Sequence, residues 1–333
     1  MPNDTRKFRL LFWGSLILCL IAAVLSLCLG TVNFTLPEAV SALFQKGDKI
    51  NSNIFRYARL PRTAACLLAG AALSVSGAVL QNVLANNLAS PSIIGVNAGA
   101  GLGVTLCCAF GMISGWAVSV SAFLGSLITV MVISVFAGRT GASKTTVILG
   151  GVALNSMLNA FSESVTVLSP DVAALTTEFR VGGFSAVSVK RLLPAAVFII
   201  AALLILFTLF NELDVLTLGD ENAQGLGLSA SKYRILFLVL AALLAGSAVS
   251  FSGLLGFIGL IVPHFVRRLA GSESRHLRPL CAVIGAGFIT LCDLASRLIF
   301  MPYEFPVGIL MAVIGGPAFV WLLIRMKGGH RNA

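Results

Sequence analysis

The sequence predicts an all-α, polytopic membrane protein of about ten transmembrane helices carrying an inverted internal repeat. Composition is the first ground: 57% of the residues are hydrophobic and 11% charged. A soluble domain carries roughly 25% charged residues, so this chain cannot cover its surface in water. The second ground is a series of apolar runs of about 20 residues, the length that crosses a hydrocarbon core. The third is a small-residue motif that appears twice. One helical domain, residues 1–333, absorbs the whole length, with repeat halves at 60–168 and 235–324.

The first element follows a basic start, Met1 to Leu10. The run 10–30 is longer than the apolar core of a cleaved signal peptide and is read as the first span. Further spans are expected at 63–84, 93–113, 116–137, 146–168, 192–210, 280–300 and 305–324. The stretch 235–266 is too long for one helix and short for two. Lys232 and Arg234 precede it, and Arg267 and Arg268 follow it. Positively charged loops stay in the cytoplasm, so the chain crosses outward and returns, turning at Ser250-Phe251-Ser252-Gly253, with Pro263 interrupting the returning arm. Ten spans put the basic N-terminus (Arg6, Lys7, Arg9) and C-terminus (Arg325, Lys327, Arg331) on the same, cytoplasmic side. Arg56, Arg59 and Arg62 form an outer cluster that opposes the charge rule and requires a reason of its own.

The repeat is LLAGAALSVSG at 67–77 against LLAGSAVSFSG at 243–253, echoed by ILGGVA at 148–153 and VIGGPA at 313–318. Each pair is five spans apart, so its members run in opposite directions. Inverted repeats are a feature of transport proteins. Gly95, Gly99 and Gly103 share one face of the third span, where helix backbones can approach closely.

The charge of +10 does not point to nucleic acid. Lys and Arg lie at the ends of apolar runs and form no basic stripe with interleaved aromatics. The seven cysteines all fall in apolar runs with no CxxC pair, so neither a disulfide framework nor a zinc site is indicated. His264, His276 and His330 have no partner at metal or triad spacing. Residues 138–145, GRTGASKT, nearly match a phosphate-binding loop, but Ser143 replaces the glycine before the lysine and membrane spans flank the segment. It is read as a decoy, so an ATPase, if one powers the protein, is another chain. Asp293 is an intramembrane carboxylate, by default a functional candidate, yet Arg297 four residues on supplies a local ion pair. Asn155, Asn159, Ser162 and Thr166 share one face of the fifth span, as interhelical hydrogen bonds or as the wall of a watered pathway. Residues 267–279, RRLAGSESRHLRP, suit a short surface helix or two, and are either flanking sequence or a docking element for a cytoplasmic partner.

The runs RLPRTAACLLAGAALSVSGAVLQ (59–81), NNLASPSIIGVNAGAG (86–101), GLLGFIGLIVPHFVRRLAG (253–271) and EFPVGILMAVIGGPAFVWLLI (304–324) resemble the ABC importer permeases for iron–siderophore, haem and vitamin B12. One departure is Asn86-Asn87-Leu88-Ala89, where that family commonly shows Asn-Pro-Leu-Ala. The resemblance implies a non-enzymatic permease in a bacterial or archaeal cytoplasmic membrane. It implies a second permease subunit, two ATPase subunits that use the ATP, an extracytoplasmic substrate-binding protein, and no cofactor or metal held by this chain. It assigns docking of the binding protein to Arg59, Arg62 and Arg297, with Arg56 assisting, and ATPase coupling to 267–279, including Arg267, Arg268, Ser272, Glu273 and His276. It puts a cytoplasmic gate at Ser143, Lys144 and Thr145, and the pathway along the Asn155 stripe. Siderophore is the first expectation for the cargo. Among the residues themselves, the alternative is a transporter driven by an ion gradient, with Asp293 as its carboxylate.

Overall fold

The computed structural model describes residues 2–30, 32–44, 49–140, 143–299, 301 and 303–329. Lys46, His330 and Arg331 lie outside them, as does part of the loop before Ser143. Among the described residues there are helices and no strands. The first span is α1 (Pro2–Cys28). A segment without an apolar run then forms α2 (Leu36–Leu43), α3 (Lys49–Ile54) and a π-helical turn, Phe55–Arg59, none of which the apolar pattern announced. The N–H and hydroxyl of Thr35 both donate to the Glu38 carboxylate at 2.8 Å, which fixes the start of α2.

The π-helical turn runs directly into α4 (Leu60–Val83), followed by α5 (Val96–Ala109), α6 (Gly115–Thr140) and α7 (Lys144–Leu168). The second half holds α8 (Pro170–Val181), α9 (Val189–Thr208), and two short helices, α10 (Phe210–Thr217) and α11 (Asp220–Gly225). Then come α12 (Ala230–Ser252), α13 (Ile258–Ala270), α14 (Ser274–Ile299) and α15 (Val307–Gly329). A helix lies in each expected stretch, and 7 among the described residues are long and apolar enough to cross a membrane. Helices α5 and α13 have 14 and 13 residues, about 20 Å at 1.5 Å per residue, short of the roughly 30 Å core.

The two repeated segments lie on α4 and α12, the most buried of the seven, which pack against each other. Their small residues bring backbones together. A Cβ on Gly70 would stand 2.1 Å from the Gly285 carbonyl oxygen, and one on Gly77 2.1 Å from that of Gly259. Serine hydroxyls bolt the contacts, Ser74 donating to the Cys281 carbonyl at 2.6 Å and Ser76 to that of Ala241 at 2.7 Å. Gly99 and Gly103 serve the close crossing of α5 and α6, as their spacing suggested.

Two expectations need correction. Pro263 does not interrupt the returning arm but lies inside α13. Its missing N–H frees the Gly259 carbonyl four residues earlier, and Gln81 Nε2 donates to that oxygen at 3.0 Å. Residues 267–279 form no separate surface helix. Helix α13 continues through Ala270, Gly271 ends it at φ 85°, and α14 opens at Ser274, leaving three residues between. The chain does turn after Ser252, where Gly253 adopts φ 68°. At the Asn86 departure the side chain does part of the work a proline would: its Oδ1 accepts the Leu88 N–H at 2.8 Å and closes an Asx-turn.

Candidate functional site

The first cluster sits at the N-terminal end of α4, the end expected to lie outside in the ten-span topology. Arg62 places Nε 3.1–3.2 Å from both oxygens of Asp293 and Nη2 3.0 Å from one, while Nη1 donates to Glu304 at 2.6 Å. Arg297 approaches the same carboxylate at 3.1 Å and donates Nη2 to the Ser26 hydroxyl at 2.8 Å. The π-helical turn directs Arg59 inward, where it donates to the Leu29 and Val32 carbonyls at 2.6 and 3.0 Å. Asp293, Arg297 and Arg59 are buried, at 1%, 3% and 6% exposure, whereas Arg56 is half-buried. Two of the four arginines expected at an outer docking face therefore tie α1, α4 and α14 together. Arg62 and Glu304 border a cavity of about 410 Å³ shared with Glu178, Gly182 and Phe184.

The second cluster occupies the opposite ends of the same helices. Arg267 donates to Gln81 Oε1 and, at 2.9 Å, to Asn82 Oδ1 at the end of α4. Asn82 Nδ2 reaches the Ser274 hydroxyl at 3.2 Å, and the Ser274 N–H donates to the Asp214 carboxylate of α10 at 3.1 Å. Ser272 and Glu273, in the bridge between α13 and α14, and Arg268 are exposed. His276 Nδ1 lies 3.1 Å from Glu273 and its ring 4.4 Å from that of Phe8. Arg267→Ala is expected to cost about 2 kcal/mol, because two charged hydrogen bonds to partly buried amides are lost. Thermal unfolding in detergent checks it, with exposed Arg268→Ala as the near-neutral control.

The stripe on α7 divides. Asn155 donates to the Ser92 and Ile93 carbonyls at 2.7 and 3.0 Å. Ser162 is buried between the Thr105 hydroxyl and Arg180 Nη2, each at 2.8 Å. Thr166 donates to the carbonyl of Glu163 at 2.9 Å. Asn159 is exposed, together with Ser156, Glu163 and Ser164. Polar groups on a span are costly against lipid, so this face suits water or a partner. At the start of α7, the Ser143 hydroxyl accepts the Thr146 N–H at 3.2 Å and so caps the helix; Lys144 is half-buried and Thr145 exposed.

Sequence reasoning missed Glu304, Arg180, the Gln81–Asn82 pair and the short helices α10 and α11. Gln81 and Asn82 were visible as adjacent amides closing an apolar span. Exposed Leu218 and Leu226 directly follow the two short helices, near acidic Asp220 and Glu221, a pattern too brief to register as an element.

Residues 18–325 match the model of the FecCD transport family. The chain belongs to the FecCD transport family. Among relatives in the family, the Fe(3+)-citrate import system permease protein YfmE of Bacillus subtilis (strain 168) is 36% identical, over 97% of this chain and 98% of that protein. The vitamin B12 import system permease protein BtuC of Klebsiella pneumoniae is 34% identical, over 97% and 96%. A solved inward-facing structure, assigned to the metal-chelate type of ABC transporters, superimposes with a TM-score of 0.85 at 30% identity, over 94% of this chain and 98% of its own. This FecCD chain is thus a multi-pass membrane protein, and the resemblance carried by its four motif runs holds from end to end.

Proposed function

We propose that this FecCD chain is the permease subunit of an ABC importer that moves a metal chelate into the cytoplasm. The end-to-end similarity to iron-citrate and B12 permeases, in sequence and in fold, carries the reading. Among metal chelates, an iron siderophore is the first choice of cargo, before haem or the cobalt complex cobalamin. Iron held inside a chelate needs no protein ligands, and among the described residues no group of three or more His, Cys, Asp or Glu gathers as a metal site. Ten spans place both termini in the cytoplasm of a bacterium or archaeon, and the 67–77 and 243–253 segments are the centres of inverted halves.

In this reading two permease subunits meet along the exposed polar face of α7, and the cargo passes between them past Asn159. Asn155 and Ser162 position the helix. Ser143, Lys144 and Thr145 stand at its cytoplasmic gate. Two ATPase subunits, which use the ATP, contact the bridge around Ser272, Glu273 and His276 together with the exposed face of α11. The binding protein docks at the opposite end, where Arg56 and the edge of Arg62 are the accessible cations. Arg59 and Arg297 hold the platform on which those two stand. Nothing favours the gradient-driven alternative, since Asp293 is already committed to two arginines.

The test is mass spectrometry of what copurifies in mild detergent with ATP hydrolysis blocked. A stoichiometric ATPase with a phosphate-binding loop is expected, and its absence would reject the importer. Arg56→Glu is expected to weaken binding-protein association about tenfold, as charge reversal at an interface rim does, with basal ATPase activity retained. Unchanged stimulation by the binding protein would remove Arg56 from the docking face.

A further inference from the structure

A cleft of about 460 Å³ runs between α1, α13 and α14. Its walls are nearly all apolar: Leu10 and Leu18 from α1, Phe265 and Leu269 from α13, Ile284 and Leu291 from α14. Two glycines line it. At Gly287 α14 comes close enough to α1 that a Cβ would lie 3.3 Å from Cys19 Cα, whereas at Gly14 a Cβ would meet nothing within 4 Å. A glycine in mid-helix costs about 1 kcal/mol relative to alanine, and here no packing partner accounts for it.

A second, polar cleft of about 320 Å³ shares Leu11 with it and is lined by Lys7, Ser272, Glu273 and His276. Among the described ion pairs Lys7 has none, because Glu273 pairs with His276. Arg6 and Arg9, near Lys7 in the chain, and Arg268, near the bridge, are exposed. The two clefts together offer an apolar slot beside a polar one in which Lys7 stands near the Glu273–His276 pair. Three helices contribute the slot's apolar walls, a lining that suits a hydrocarbon chain. Basic pockets between membrane helices bind anionic lipid head groups.

We propose that the α1–α13–α14 cleft binds one anionic phospholipid, an acyl chain lying against Leu10, Leu18 and Phe265 and the phosphate held by Lys7. Assignment to the cytoplasmic leaflet rests on the topology proposed above; the site itself does not. The headgroup would touch Ser272 in the bridge and His276 in the first turn of α14, next to Ser274, which bonds to Asn82 and Asp214. The lipid is thereby placed to influence the segment proposed to meet the ATPase.

The full chain, purified in mild detergent, is titrated with equal amounts of phosphatidylglycerol and phosphatidylethanolamine, and retained lipid is counted by native mass spectrometry. One phosphatidylglycerol per chain is expected, preferred about fivefold, the equivalent of roughly 1 kcal/mol for one cation near a phosphate. Gly14→Leu fills the slot and is expected to reduce retention of both lipids. Lys7→Glu, an exposed change that leaves the slot open, is expected to abolish the preference while keeping the chain-dependent retention. Equal retention of the two lipids by the unaltered protein, or an unchanged preference in Lys7→Glu, overturns the proposal. So does a photoreactive group at Leu18 that crosslinks to polypeptide instead of lipid. Retention is read without transport, so its failure is separate from failure of the importer reading.

Discussion

Asp293→Ala is expected to destabilise the protein by about 3–5 kcal/mol, the usual cost of removing one partner from a buried ion pair. The carboxylate is 1% exposed and faces the guanidinium groups of both Arg62 and Arg297. Without it, two positive charges remain packed together among α1, α4 and α14 with only Glu304 and neutral acceptors to balance them. Asp293→Asn keeps the volume but not the charge, and is expected to recover only a minor part of the loss. Glu304→Ala is the contrasting case: its carboxylate is 43% exposed and Arg62 retains Asp293, so a change of less than about 1 kcal/mol is expected. Thermal unfolding of the detergent-solubilised protein measures all three. If Asp293→Ala melts with the unaltered protein, the cluster is not holding these helices together.

Gly77→Leu is expected to be comparably severe, about 3 kcal/mol or more, at the upper end of what overpacking costs. The first added carbon would stand 2.1 Å from the Gly259 oxygen and 2.4 Å from its Cα. Both are backbone atoms of α13, so no side chain can swing aside, and the helices must separate. Separation also breaks the bond from Gln81 to the carbonyl that Pro263 leaves free. Gly101→Ala is the control, for a Cβ there meets nothing within 4 Å. Relief of the glycine penalty makes that variant neutral or up to about 1 kcal/mol more stable. Folded yield and melting temperature report both, and equal behaviour of the two variants would contradict the close crossing.

The spans were legible because an apolar run of sufficient length has few other uses, and each expected stretch does contain a helix. The elements between spans were not. Helices α2, α3, α8, α10 and α11 have 6–12 residues and no long apolar run to announce them. The outer arginines were legible as an anomaly of charge, and the Asp293–Arg297 pair as a spacing of four on one helix. Their directions were not legible, because Asp293 and Glu304 lie 231 and 242 residues from Arg62 in the chain. Arg59 turns inward toward backbone carbonyls, acceptors that every residue carries and no sequence pattern marks. The same holds for Ser74 and Ser76. The repeat was visible in its small residues, while what they touch depends on tertiary packing.

Helices α4 and α14 run antiparallel, each carrying one member of both charged clusters: Arg62 and Asn82 on α4, Asp293 and Ser274 on α14. The clusters stand about 28 Å apart along the helix axes at 1.5 Å per residue. Between them the pair is riveted by Ser74 and by the meeting of Gly70 with Gly285. Held at both ends and in the middle, the two helices have little freedom to slide or bend past one another. A displacement of Ser274 is therefore carried to Asp293 by the pair as one stiff unit.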